Sequence, residues 1–211
     1  MKTPAMKTPE IHLHHNDLPD GLTFKDAIAV DSEAMGLNPH RDRLCVVQLS
    51  GGDGVCHLVK FALGADSAPN LKRLMEDPKV VKIFHYARFD ITLLKKALNI
   101  DVSPIFCTKI ASKLARTYTD SHGYKNVCRE LAGVEISKVQ QSSDWGADEL
   151  SDDQLEYAAT DVLYLHEVRE KLITMLQREG RYELAQKCFD FLPTRSALDL
   201  AGWLDQDIYA H

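Results

Sequence analysis

The chain has 211 residues, 45% of them hydrophobic and 27% charged, with a net charge of −6. That length suits one domain with a substantial core, and the acidic balance excludes the broad basic surface that long duplexes require. Five scattered cysteines without CxxC spacing exclude a disulfide framework and fit a reduced, cytoplasmic chain.

No apolar run approaches the roughly 18–20 residues of a membrane span, and the first residues lack a signal-peptide apolar core. The repeated MKTPAMKTPE reads as a loose tail over 1–9. Residues 10–15, EIHLHH, alternate enough for an edge strand. His12, His14 and His15 invite a metal reading there, but no acid or Cys is seen to complete a set. Residues 27–31, AIAVD, have the apolar density of a buried strand. At its end Asp31 and Glu33 stand two apart, on the same face of an extended backbone. LCVVQL (44–49) and VCHLVKF (55–61), joined by SGGDG, continue as a β-meander.

A short helix over 70–76 ends at Asp77-Pro78. VVKIFHY (80–86) is another buried strand, running straight into the helix ARFDITLLKKAL (87–98). Asp90 therefore falls in the first turn of a helix, where the dipole favours an acid. It also lies at the strand edge where ligands of α/β sheets bind. A short strand over 105–107 and a helix from 108 to about 116 follow. After the loop TYTDSHG comes a helix near 124–132. Ser151 and Gln154 have capping-box spacing, with Asp152 and Asp153 in the first turn. They open a long helix that closes the core unit and carries Tyr157 and Asp161 on one face, one turn apart. The core unit spans 10–178. Beyond it, a helix over 181–188 and a tail with Phe189, Phe191, Leu198, Leu200, Trp203, Ile208 and Tyr209 form an extension over 179–211. It is too apolar for disorder and packs on the domain or on another subunit.

Collected together, the acids are Asp31 and Glu33 on one strand, Asp90 at a strand-to-helix junction and Asp161 on a helix. Carboxylates on one side of a strand repel unless a cation lies between them. Hard divalent ions such as Mg²⁺ and Mn²⁺ prefer carboxylate oxygen and water. Four carboxylates suit two such ions, the arrangement that clamps the attacking and leaving oxygens of a phosphoryl displacement. Tyr157 is placed to hydrogen-bond an attacking water. With an unperturbed pKa near 10 only about 0.1% of a tyrosine is ionised at neutral pH, so orienting the water suits it better than acting as base. His166 is a rival base, but five residues along a helix rotate it roughly 140° from Asp161.

D-S-E (31–33), H-Y-A-R-F-D (85–90) and Y-A-A-T-D (157–161), in this order, resemble the three motifs of the DEDD exonuclease superfamily, tyrosine subclass. The run SDWGADELSDDQLEYAATDVLYL is similar to ribonuclease D, and the resemblance covers about 25–175. It implies a ribonuclease H-like α/β fold, a mixed sheet flanked by helices, and 3′→5′ hydrolysis of single-stranded ends to 5′-monophosphates. It carries Asp31, Glu33, Asp90 and Asp161 over as ligands of two Mg²⁺ or Mn²⁺ ions and Tyr157 as the water-positioning residue. Tyr86 departs from the pattern, since many relatives have Asn there.

The chain stops short of the accessory helical domains of ribonuclease D. D-S-E-A-M-G-L (31–37) has the D-x-E-x-x-G-L spacing of oligoribonuclease. With GLNPHRDRLCVVQLS, CTKIASKLARTYTD, KNVCREL and FDFLPTR, the whole resembles the nano-RNase C family. That resemblance implies diribonucleotides and other short single-stranded RNA as substrate, and a ring-shaped homo-octamer. It also implies a base contact for Leu37; a core leucine is the open alternative. Met35, Gly36, His85 and Arg88, neighbours of the motif acids, complete the candidate substrate contacts. Candidates for a terminal phosphate are His40, Arg41, Arg43, Arg88, Lys109, Lys113, Arg116 and Arg195.

Overall fold

A computed structural model describes residues 9–137, 139–140 and 142–211. The tail expected over 1–9 lies, but for Pro9, outside the described residues. Among the described residues six strands form one sheet: β1 (Glu10–His15), β2 (Ala27–Ala34), β3 (Leu44–Ser50), β4 (Val55–Lys60), β5 (Val81–Phe84) and β6 (Ile105–Cys107). Their spatial order is β1-β4-β3-β2-β5-β6. The meander expected from β2 to β4 is present as antiparallel pairs. β1 joins β4 in parallel at the edge, and β5 and β6 extend β2 in parallel. β3 therefore runs against the other five strands. The centre of the sheet is sealed, with Ile28, Ala29, Val30, Val46, Val47 and Leu49 all at 0% exposure. Continuous apolar runs of this kind are what a strand covered on both faces requires.

The helices are α1 (Pro69–Met75), α2 (Ala87–Leu98), α3 (Thr108–Ala115), α4 (Tyr124–Leu131), α5 (Asp152–Leu163), α6 (Leu165–Arg178) and α7 (Tyr182–Leu198). None among the described residues is long and apolar enough to cross a membrane. α5 starts with the predicted capping box: the Gln154 N–H donates to Ser151 Oγ at 3.3 Å, and the Ser151 N–H donates to Gln154 Oε1 at 2.9 Å. It packs across β2, β3 and β4, which brings its Tyr157–Asp161 face to the strand carrying Asp31 and Glu33. α2 packs on β3, β5, β6 and α7.

Three expectations change. Asp31 and Glu33 lie within β2, which continues to Ala34, and not at its end. The long helix after Ser151 is two helices, because Tyr164 (φ −102°, ψ −3°) leaves helical geometry. The helix beginning near residue 181 does not stop at 188. It passes through Pro193 to Leu198, then closes with a wider turn over Asp199–Trp203. An interior proline costs a helix a hydrogen bond, about 3 kcal/mol in isolation. Here packing offsets it: Phe189 is 1% exposed and lies 4.8 Å from the Phe106 ring, with Leu192 also buried. The histidines of β1 have an acid beside them after all, since His12 Nε2 lies 2.8 Å from Glu10 Oε1. His14 pairs with His57 of β4 at 3.0 Å, so these rings are spent on the sheet edge.

Candidate active site

Period-two alternation points Asp31 and Glu33 to the same face of β2, and α5 lays Asp161 against them. One ligand atom from each of the three lies within 4.8 Å of the others. Asp90 is next to this trio but not within it. It is 2% exposed in the first turn of α2, and Ser32 Oγ donates to its Oδ1 at 2.6 Å. Ser32, between the two motif acids, lines the same cavity and reaches Asp90 on α2. Sequence reasoning passed over this hydroxyl, although its place inside D-S-E was the available signal.

The electrostatics are those of carboxylates held too close. Burial, then the charges of Asp90, Asp161 and Glu33, push the Asp31 carboxyl well above the usual carboxylate range. Burial, then Asp161 and Asp90, push Glu33 up to about 9. Burial also pushes Asp90 up to about 7, against the lowering effect of the Ser32 hydroxyl. A hard divalent cation removes this repulsion while accepting the same oxygens, so the donor set fits Mg²⁺ or Mn²⁺. Tyr157 stands one turn before Asp161, its ring 6.0 Å from that of buried Trp145. Burial and the nearby charges of Asp161, Glu33 and Asp31 raise its phenol above the usual value. It stays protonated at neutral pH, as a hydrogen-bond donor must and a general base cannot.

The acids open into a cavity of about 650 Å³ whose walls include Met35, Leu37, His85, Tyr86, Lys109 and Tyr124. That is within the usual range for small-ligand sites. Leu37 is 83% exposed, which removes the core-leucine alternative. Gly36 is needed for space: a Cβ there would lie 2.3 Å from Asp42 Oδ2. Asp42 in turn accepts the Asn38 N–H at 2.9 Å and so shapes the loop presenting Leu37. Thr108 Oγ1 donates to the Phe84 carbonyl at 3.0 Å, and His85 Nδ1 meets the same hydroxyl at 2.9 Å. The hydroxyl has one proton, so His85 donates from Nδ1.

Of the eight basic candidates for a phosphate, Lys109 alone lines this cavity. Arg88 is not brought to it. Its guanidinium grips Asp199 at 2.6 and 2.7 Å and the Leu204 carbonyl at 2.6 Å. Arg195 grips the same carboxylate, and His40 meets the Asp199 carbonyl at 3.1 Å. Arg116, 1% exposed, is sealed in with Glu130, Ser112 and Ser121. Arg41 pairs with Asp42, and Arg43 donates to the Phe61 and Gly146 carbonyls. His166 lies on α6, beyond the break at Tyr164, and donates from Nε2 to the Ser50 carbonyl at 3.0 Å. The cavity wall adds Lys125 and Trp145, which sequence reasoning did not single out.

The family profile described as 3′-5′ exonuclease matches residues 14–177. The chain belongs to the 3′-5′ exonuclease family. Among solved structures it is similar to Brucella melitensis NrnC bound to pGG, with 55% identity, 96% of this chain and 99% of that one covered, and a TM-score of 0.92. It is also similar to Brucella melitensis NrnC with bound Mg²⁺, at 54% identity, the same coverage and a TM-score of 0.91. Ribonuclease D of Gluconacetobacter diazotrophicus is 38% identical over 156 residues. The chain spans about two fifths of the length of that relative, as its match covers 39% of it. The expected ribonuclease H-like exonuclease fold and the resemblance to ribonuclease D and nano-RNase C are thus borne out.

Proposed function

We propose that this chain is a metal-dependent 3′→5′ exoribonuclease that hydrolyses diribonucleotides and other very short RNA oligonucleotides to 5′-monophosphates. The observation that carries the reading is the trio of Asp31, Glu33 and Asp161 ligand atoms within 4.8 Å of one another, opening into a cavity with a bare leucine. Similarity over nearly the whole chain to a protein bound to pGG supports the dinucleotide class. Similarity to its Mg²⁺-bound form supports the cation.

Asp31, Glu33, Asp90 and Asp161 would hold two divalent ions; bound there, such ions neutralise phosphate charge and lower the pKa of water. Asp90, whose Oδ1 accepts from Ser32 Oγ at 2.6 Å, would contribute its carboxylate from the first turn of α2. The protonated Tyr157 hydroxyl orients the attacking water, while Leu37, with Met35 and Gly36 in its loop, lies against the bases. His85 faces the nucleotide from the cavity wall. A dinucleotide carries few phosphates, so affinity comes from base contacts and not from a long basic groove. Residues 10–178 are the exonuclease domain. The 179–211 extension, with Leu184, Trp203, Ile208 and Tyr209 exposed, supplies contacts for a ring-shaped octamer in the cytoplasm.

The test is turnover of a series of 5′-labelled RNAs two to twenty nucleotides long with Mg²⁺ or Mn²⁺. Activity concentrated on the two-mer and falling steeply with length is expected. Undiminished turnover to the twenty-mer would replace the dinucleotide reading with a broader ribonuclease D-like trimming activity.

A further inference from the structure

Tyr86 joins β5 to α2 in the left-handed conformation, φ +77° and ψ +43°. A residue with a bulky side chain is crowded there, and glycine or asparagine is the usual occupant. Its carbonyl accepts the Phe89 N–H at 3.1 Å, a bond any residue could supply, while its side chain makes no capping hydrogen bond to α2. Nor is the ring anchored in the core, being 44% exposed. It is instead part of the wall of the acidic cavity, together with Leu37 and Lys109. Lys109 Nζ sits 4.1 Å from the ring centroid, a cation–π distance that restrains the ring's tilt. Backbone strain of this kind gathers at ligand sites, where the surroundings enforce it. Asparagine would occupy this backbone with less strain and leave no aromatic surface.

We propose that Tyr86 is a stacking platform for one nucleobase of the substrate, a specificity determinant that makes the site select base-bearing dinucleotides. The proposal rests on reading the cavity as a nucleotide site. An aromatic face accepts any base, because every base has a π surface. The platform therefore favours the presence of a base over its absence without choosing among sequences.

The test compares wild type, Tyr86→Asn and Tyr86→Phe on three substrates with Mg²⁺: a diribonucleotide and the two analogues with an abasic ribose at one or the other position. Melting of the unliganded proteins is measured alongside. Stacking losses correspond to roughly 5–150-fold in affinity. Tyr86→Asn should thus lower kcat/KM on the diribonucleotide about tenfold or more, chiefly through KM, while Tyr86→Phe stays near wild type. The wild-type preference for the full dinucleotide over one abasic analogue should shrink by the same factor in Tyr86→Asn. Its melting temperature should fall by no more than about 2 °C, because asparagine fits the left-handed backbone. An unchanged preference for bases in Tyr86→Asn would overturn the platform, as would an equal loss on all substrates with a melting temperature lowered by more than about 5 °C. Wild-type protein inert on the diribonucleotide would instead remove the underlying nucleotide reading, and the platform with it.

Discussion

Replacing Asp199 by alanine should cost this protein several kcal/mol of stability, on the order of the loss of one partner from a buried ion pair. The carboxylate is 1% exposed and receives four guanidinium hydrogen bonds: 2.6 and 2.7 Å from Arg88, 3.0 and 2.6 Å from Arg195. Without it two guanidinium groups face each other with no anion between them. Breaking one partner out of a buried pair costs about 3–5 kcal/mol. The arginine side chains keep 30% and 16% of their exposure, and both retain carbonyl partners in the C-terminal turn. The lower end, about 3 kcal/mol, is therefore expected. For a chain of this size that is a melting temperature lower by roughly 6–12 °C. Differential scanning calorimetry at pH 7 measures it. The control is Asp101→Ala, whose carboxylate is 72% exposed and meets Lys95 at 2.9 Å; an exposed pair of that kind should shift melting by no more than about 2 °C. An Asp199→Ala curve lying as close to wild type as the control's would refute the reasoning, and with it the view that the C-terminal turn is latched to α2 through this carboxylate.

Other outcomes follow from the acid cluster and its loop. Raised carboxyls keep protons in the folded state that the unfolded chain has released above its ordinary values near 4. From these groups, metal-free protein should therefore be most stable below about pH 4 and lose stability as pH rises from there through about 7 for Asp90 and about 9 for Glu33. Saturating Mg²⁺ should flatten that slope, and thermal melts that climb with pH in the absence of metal would contradict it. Asp161→Asn should abolish hydrolysis and, by removing one repelling charge, raise the metal-free melting temperature at pH 8; a lowered one would count against crowding. Gly146→Ala would place a Cβ 2.5 Å from Met35 Sδ and 3.0 Å from Arg43 Nη2. Both are ends of flexible side chains, so steady-state kinetics should show a KM raised several-fold while melting barely moves.

Much of this architecture could be read from local pattern. Asp31 and Glu33 share a face because a strand repeats every two residues, Tyr157 and Asp161 because a helix repeats every 3.6. The Ser151–Gln154 box is local chemistry and appeared where expected. What escaped were partnerships set by tertiary contact. Arg88 looked like a phosphate ligand beside Asp90, but its partner lies 111 residues away in a tail with no motif. Pro193 signals a helix end, yet the packing of Phe189 and Leu192 carries α7 past it. The break at Tyr164 has no glycine or proline to announce it. Leu37 could not be placed by composition, since a leucine in a loop and one in a core read alike until its exposure is known.

The most direct measurement is a crystal structure of the protein with a diribonucleotide and Ca²⁺, an ion that holds the site without supporting turnover. Two ions are expected among Asp31, Glu33, Asp90 and Asp161, with the scissile phosphate bridging the pair. Ions bound elsewhere, or a nucleotide seated away from Leu37 and Tyr157, would contradict that arrangement.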